Sequence, residues 1–169
     1  MSEQFEIKRA ERRQARLRIA FSGASGGGKT RSSLELAFGI LARLVERGEV
    51  KPRPHLAAPL EGLIGLIDTE RRSAQLESHV GPFDTIELGP PHSVERYVGA
   101  LAALERAGCV IVIVDGISHA WVGQGGVLHV LDSIEDNRRF SAFGTQVNPL
   151  QERFVDALLR SPAHLIVTM

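Results

Sequence analysis

The chain has 169 residues, of which 43% are hydrophobic and 24% are charged, and its twenty basic residues balance its twenty acidic ones. These values are typical of one globular domain, and the zero net charge excludes a global field that attracts DNA or anionic lipid. The single cysteine, Cys109, excludes an internal disulfide and heads an apolar run, which predicts a buried structural thiol. No apolar stretch approaches the roughly 20 residues of a membrane helix, so we expect a cytoplasmic protein with no membrane contact.

The N-terminal residues 5–18 contain six basic residues and two glutamates. We interpret this segment as a solvated, partly helical lead-in, and the alternative is a basic arm for nucleic acid or a neighbouring subunit. The chain is therefore divided into a basic lead-in, residues 1–16, and a core, residues 17–169. Because the last predicted strand runs to the final residue, Met169, we expect the natural protein to continue beyond it.

Strands and helices are predicted to alternate through the core. Helices are predicted at 29–47, where apolar residues recur at helical spacing, after the N-cap residue Ser93, and from Asn148, with Asn148 as N-cap and Pro149 at N1. Strands are predicted at 17–21, 63–67, 85–88, 110–114 and 165–168, and a proline-rich loop at 51–61. The buried face of the last helix is predicted at Leu150, Phe154, Val155, Leu158 and Leu159. This order predicts an α/β fold with a doubly wound, mostly parallel sheet and helices on both faces.

A glycine-rich segment at residues 23–30, Gly-Ala-Ser-Gly-Gly-Gly-Lys-Thr, matches G-x-x-x-x-G-K-[ST] at every fixed position. Glycines let backbone N–H groups converge on phosphate oxygens, and the following helix adds unpaired N–H groups and its positive dipole end. Lys29 is predicted to reach the β and γ phosphates, and the Thr30 hydroxyl to ligate Mg²⁺. The loop therefore predicts binding of ATP with Mg²⁺, against the alternative of a flexible glycine turn.

The predicted nucleotide-binding residues are Gly23, Ala24, Ser25, Gly26, Gly27, Gly28, Lys29, Thr30 and Arg31. Arg31 belongs to this set as a cation that could stack on the adenine ring, and its alternative is an exposed helix position.

Two aspartates follow apolar strands, and either could hold the Mg²⁺ shell through water. Asp115 follows a longer β-branched run than Asp68 does, which favours Asp115. Glu70 lies two residues beyond Asp68, where a carboxylate could orient and deprotonate the water that attacks the γ-phosphate. The alternative for Glu70 is a surface pair with Arg71 or Arg72, and spacing alone leaves both interpretations open.

Three blocks of sequence resemble the RecA-like AAA-family ATPases encoded by phages and prophages. The first, residues 17–30, is generic to P-loop proteins. The second, Ile-Asp-Thr-Glu-Arg at residues 67–71, and the third, Val-Asp-Gly-Ile-Ser-His-Ala-Trp at residues 114–121, are more selective. Residues 123–126 and 161–169 also fit, in the family's order, so the resemblance covers essentially the whole chain.

The resemblance implies a RecA-like P-loop ATPase core, close to the phage single-strand-annealing ATPases and active as a homo-oligomer in a bacterial or phage-infected cell. It implies that Lys29 and Glu70 are catalytic, with Glu70 activating the water. It also implies that Thr30 and Asp115 serve the metal, with Asp115 as the Walker B aspartate.

The loop that begins at Ser118 and ends at Gly126 corresponds, by the same resemblance, to the first DNA-contacting loop of recombinases. His119 and Trp121 are then candidates for contact with single-stranded DNA, and packing against the sheet edge is the alternative. RecA-type cores often carry a polar sensor at the end of the last strand, and this chain departs from that pattern, with Thr168 followed by Met169.

Two other functions fit a phosphate loop. A P-loop kinase for a small metabolite needs a lid rich in arginine, and the pair Arg138-Arg139 is the only one placed near that role. A nucleotide-dependent binding switch commonly carries an extra lysine early in its loop, where this chain has Ala24 and Ser25. The sequence therefore favours an ATPase over a kinase, and a kinase over a switch.

Overall fold

The structure is a computed structural model that describes residues 9, 15–53, 59–70, 73–134 and 138–169, apart from the side chains at 139 and 140. Most of the predicted basic lead-in lies outside the described residues. So do Arg71 and Arg72, the suggested partners of Glu70, the middle of the proline-rich loop, and the side chain of Arg139.

Five parallel strands form one sheet in the order β1-β5-β4-β2-β3. The strands are β1 (Arg18–Phe21), β2 (Ile64–Asp68), β3 (Asp84–Glu87), β4 (Ile111–Asp115) and β5 (His164–Thr168). The predicted parallel α/β sheet is thus confirmed, and all five predicted strands are found to within one residue at each end. Because the strands are parallel, their carboxyl ends share one edge, where Asp68 pairs in register with Asp115 and Phe21 with Thr168.

Three long helices connect the strands: α1 (Lys29–Glu46), α2 (Val94–Ala107) and α6 (Asn148–Arg160). Shorter elements are a 3-10 helix (Ser73–Val80), α3 (His119–Val122), α4 (Val127–Asp132), α5 (Arg139–Ala142) and a π-helical turn (Phe143–Val147). The sequence pattern predicts the long helices and misses the short ones, because one or two turns hold too few residues for a periodic signal.

Alternate residues of the central strands enter two separate cores. Ile111 and Ile113 of β4 pack in the core that contains α1 and the 3-10 helix. Val112 and Val114 pack in the core that contains α2 and Phe154 of α6. Helices therefore cover both faces of the sheet, as predicted, and β4 is buried along its whole length. Cys109 is a buried free thiol, and burial raises its pKa to about 11.

Two predictions about helix α6 are wrong. Asn148 is not an N-cap, because its backbone is helical and continues the π-helical turn before it. Val155 and Leu159, predicted to be buried, are 41% and 63% exposed, since only Phe154 of this helix is fully inserted in the core. In α2, Ser93 does occupy the N-cap position, although its side chain makes no capping hydrogen bond.

Phe154→Ala is expected to destabilise the fold far more than Leu159→Ala. Phe154 is 2% exposed and its ring lies 5.5 Å from that of Tyr97 and 6.1 Å from that of Trp121, so truncation leaves a cavity that costs about 3–5 kcal/mol. Leu159 is an exposed residue of the same helix and serves as the matched control. Urea denaturation of both variants measures the difference, and equal midpoints would contradict this packing.

Candidate functional site

The glycine-rich loop at residues 23–30 connects β1 to α1 and is fixed to the residue that follows β5. The Gly23 N–H donates to the Met169 carbonyl at 3.2 Å, and the Met169 N–H donates to the Phe21 carbonyl at 2.9 Å. Within the loop, the Gly27 N–H donates to the Ala24 carbonyl at 3.1 Å, which closes a tight turn. These bonds hold the backbone of the loop at the edge where the strands end.

Two glycines of the loop adopt backbone conformations that other residues rarely take. Gly26 and Gly28 have φ angles of 75° and 74°, in the left-handed region, so the sequence places glycine where the chain needs it. Gly28 directly precedes α1, whose first N–H groups have no helical partner. Where the main chain alternates between right-handed and left-handed conformations, successive N–H groups point toward one centre and form a concave anion-binding nest.

Lys29 folds back over the loop. Its Nζ donates to the Gly23 carbonyl at 3.0 Å and to the Ala24 carbonyl at 2.9 Å. The ammonium therefore lies against the main chain at the beginning of the loop. Arg31, by contrast, pairs with Glu35 on the exposed face of α1, with Nε 2.9 Å from Oε1. Arg31 is thus paired with another residue of its own helix.

The carboxylate of Asp115 receives hydrogen bonds on both of its oxygens. Thr30 Oγ1 donates to Oδ2 at 2.8 Å, and Thr168 Oγ1 donates to Oδ1 at 2.6 Å. The Thr168 hydroxyl also accepts the Gly116 N–H at 2.8 Å. Asp115 is 1% exposed and Thr168 is fully buried. The structure thus joins the end of the glycine-rich motif to the aspartate that the sequence favours.

Asp68, the other candidate for the Mg²⁺ shell, is occupied by main-chain donors. Its Oδ1 accepts the Glu70 N–H at 2.7 Å and its Oδ2 accepts the Ala74 N–H at 3.1 Å. This carboxylate therefore shapes the turn from β2 into the 3-10 helix. Of the two aspartates, Asp115 is thus the one whose carboxylate contacts the glycine-rich motif, through Thr30.

Glu70 lies in a cleft of about 530 Å³ at the carboxyl ends of β2 and β3. Its side chain is exposed, and its Cγ lies 3.4 Å from the place that a Cβ would take on Gly116, the residue after Asp115. The cleft is lined by Asp68, Thr69, Glu70, Glu87, Leu88, Gly89, Pro90, His92 and His119. A water molecule can therefore reach the Glu70 carboxylate beside the strand that carries Asp115.

The two side chains singled out in the loop after β4 both make contacts within the protein. His119 Nδ1 lies 2.8 Å from Thr69 Oγ1, and its ring stacks on that of His92 with centroids 5.0 Å apart. Trp121 is half-buried beside Phe154, as the packing interpretation predicts. Burial lowers the pKa of His92, and His119 and Arg96 lower it further, so this imidazole is uncharged at neutral pH.

Sequence reasoning missed the role of three residues that contact the site residues. Thr168, which the sequence analysis named only as a departure from the family's sensor pattern, directs its hydroxyl to Asp115. The contacts of Thr69 and His92 carry no signal in the sequence, because their partners lie 46 and 27 residues away, respectively, at Asp115 and His119. The pairing of β2 with β4 is what brings Thr69 close to Asp115.

Among residues 9, 15–53, 59–70, 73–134 and 138–169, no cluster of three or more His, Cys, Asp and Glu side chains could hold a metal ion. Mg²⁺ needs no such cluster, since it is commonly held by one or two protein oxygens together with substrate phosphates. In the same part of the chain, no helix combines the length and the apolar character needed to cross a membrane.

Comparison of the chain with protein-family models, with curated proteins and with solved structures gave no match.

Thr168→Val is expected to destabilise the fold by about 1–3 kcal/mol. Valine keeps the shape of threonine but removes the donor to Asp115 and leaves the buried Gly116 N–H without an acceptor. Thr168→Ser retains the hydroxyl and is the matched control. Chemical denaturation measures both variants, and a Thr168→Val protein as stable as the serine variant would show that these bonds contribute nothing.

Proposed function

We propose that this chain is a Mg²⁺-dependent ATPase with a RecA-like P-loop core that serves phage or prophage DNA recombination or single-strand annealing. The observation that carries the ATPase is the 2.8 Å hydrogen bond from Thr30 to Asp115. This bond links the last residue of a complete G-x-x-x-x-G-K-[ST] motif to a buried carboxylate on a neighbouring part of the sheet. Both groups are oxygen ligands, which are the ligands that Mg²⁺ prefers.

The sheet order supports this assignment. Strand β5 lies between β1, which leads into the loop, and β4, which carries Asp115. The two functional strands are therefore two strand spacings apart, about 10 Å, with room for a triphosphate across the edge. Glu70 follows β2, one strand further along, and so faces the far end of such a ligand.

Each residue has a definite task in the proposed reaction. The backbone N–H groups of residues 23–30 bind the phosphates, and Lys29 exchanges its two carbonyl partners for phosphate oxygens. Thr30 and Asp115 hold Mg²⁺, which when bound offsets the charge of the β and γ phosphates. The Glu70 carboxylate accepts a proton from the attacking water, a contribution typically of about 10²–10⁴-fold in rate.

The recombination role, DNA binding by residues 118–126 and oligomerisation rest on the family resemblance of the sequence. One structural observation bears on the proposed DNA contact. Val122 in this loop is 69% exposed, while its neighbours His119 and Trp121 pack inward. The test is phosphate release from ATP and Mg²⁺ with and without single-stranded DNA. Stimulation by DNA supports the recombination ATPase. Turnover that requires a small metabolite instead identifies a kinase.

Lys29→Ala is expected to abolish ATP binding, because it removes the cation that faces the triphosphate. Isothermal titration with ATP and Mg²⁺ measures the affinity, and circular dichroism checks that the variant is folded. Arg43→Ala removes an exposed cation from the other end of α1 and should bind as the wild type does. If Lys29→Ala binds ATP with unchanged affinity, the assigned nucleotide site is wrong.

Glu70→Gln is expected to bind ATP as the wild type does but to hydrolyse it at least about 10²-fold more slowly, because glutamine cannot accept the proton. Steady-state phosphate release gives the rate, and the titration above gives the affinity. Glu46→Gln, an exposed carboxylate at the end of α1, is the control. Normal turnover in Glu70→Gln would return this residue to a surface role.

A further inference from the structure

Three side chains from two segments meet over Gly116, the residue that follows Asp115. A Cβ on Gly116 would overlap Thr69 Oγ1 and would lie 3.2 Å from His119 Nδ1 and 3.4 Å from Glu70 Cγ. Gly116 also has a φ angle of 81°, which glycine tolerates and other residues avoid. The main chain at this point thus leaves just enough space for Thr69, His119 and Glu70 to lie side by side.

The hydrogen bonds at Thr69 fix the proton positions in this cluster. Thr69 Oγ1 lies 2.7 Å from the Asp115 carbonyl and 2.8 Å from His119 Nδ1, and a hydroxyl has a single proton to donate. A carbonyl can only accept, so the hydroxyl donates to Asp115, and His119 Nδ1 must then carry a proton and donate to Thr69. This assigns a proton to Nδ1 of His119.

The neighbouring Gly116 carbonyl is already used by other donors. The Tyr97 hydroxyl donates to it at 3.2 Å and the His119 backbone N–H at 3.1 Å. Burial raises the pKa of Tyr97 to about 12, so this hydroxyl keeps its proton. The Asp115 carbonyl therefore remains the better acceptor for Thr69, at 2.7 Å against 3.1 Å to the Gly116 carbonyl.

The His119 ring is also held from its other side. It stacks on the ring of His92, which is 6% exposed, and the His92 backbone N–H donates to the Gln124 carbonyl at 2.7 Å. The position of a Cβ on Gly123 lies only 2.9 Å from His92 Cδ2, so the loop closes tightly over the pair of rings. The His119 ring thus contacts Thr69 on one side and His92 on the other, and it is confined between them.

We propose that His119 is a positioning residue for Glu70: through Thr69, it fixes the main chain from which the Glu70 carboxylate projects. The proposal rests on the ATPase function above, in which Glu70 activates water. Two sets of hydrogen bonds hold this stretch of main chain. The Asp68 carboxylate accepts the Glu70 N–H, and the side chain of Thr69, the residue before Glu70, is bonded to Asp115 and His119. Removing the imidazole takes away one of the two partners of the Thr69 hydroxyl and leaves only the Asp115 carbonyl, and a displacement of about 1 Å in a catalytic group can cost about 10²-fold in rate.

The first experiment compares His119→Leu with His119→Asn in steady-state ATP hydrolysis. The asparagine side-chain amide can donate from nearly the place of Nδ1–H, whereas leucine fills the space and donates nothing. His119→Leu is expected to lower kcat about tenfold or more with KM for ATP unchanged, and His119→Asn to recover most of the rate. His129→Leu replaces an exposed histidine of α4 and should leave both constants unchanged.

A double-mutant cycle tests whether His119 acts through Glu70. In the Glu70→Gln background, His119→Leu is expected to cause no further loss of kcat, because the group that it positions is already disabled. An equal loss in both backgrounds would overturn the proposal, as would a normal kcat in the single variant. Thr69→Val should reproduce the kcat loss and Thr69→Ser should relieve it, which keeps the proposal testable if His119→Leu does not fold.

A second readout is independent of turnover. The ¹⁵N chemical shifts of the imidazole are expected to report a proton on Nδ1 of His119 in the wild type and to change in Thr69→Val, while an unprotonated Nδ1 in the wild type would overturn the link. A wild-type chain without ATP hydrolysis would instead remove the proposed function together with the positioning role. Normal hydrolysis that depends on Glu70 but is insensitive to His119→Leu would remove the positioning role alone.

Discussion

The buried carboxylate of Asp115 is the group on which the arrangement of the site depends. A charge that is 1% exposed is tolerated only where donors satisfy it, and here two hydroxyls do so. Thr30 comes from the first helix and Thr168 from the last strand, so one side chain ties together segments 138 residues apart. The glycine-rich loop, β4 and β5 are held in place relative to one another by this contact and by the sheet itself.

The features of the fold that depend on long periodic patterns could be predicted from the sequence. The β-branched run of β4 and the apolar stripe of α1 each occupy the buried position that their periodicity implies. The short helices between β4 and α6 could not, because each holds only one or two turns. The apolar pattern of α6 overstated burial, since periodicity records which residues are apolar and cannot show that the core ends before Leu159.

The candidate site also contains features that could be predicted from the sequence and features that could not. The loop at residues 23–30 is a contiguous motif, and its glycines lie where positive φ angles are required, so local chemistry was enough to find it. Asp115 and Glu70 could be proposed because each follows a buried strand, and parallel strands bring their ends to one edge. The contacts of Thr168, Thr69 and His92 depend on which strands are neighbours, and no spacing in the sequence encodes that order.

The folded-back position of Lys29 has a consequence for ligand selectivity. Two backbone carbonyls of the loop already solvate this ammonium and compete with any incoming anion for its protons. If the loop binds ATP as proposed, Lys29 gains only the difference between charge-assisted bonds to phosphate and those to the carbonyls that are released. An orthophosphate ion would contact fewer of the loop N–H groups than a triphosphate chain would, so the same exchange would disfavour the small anion more.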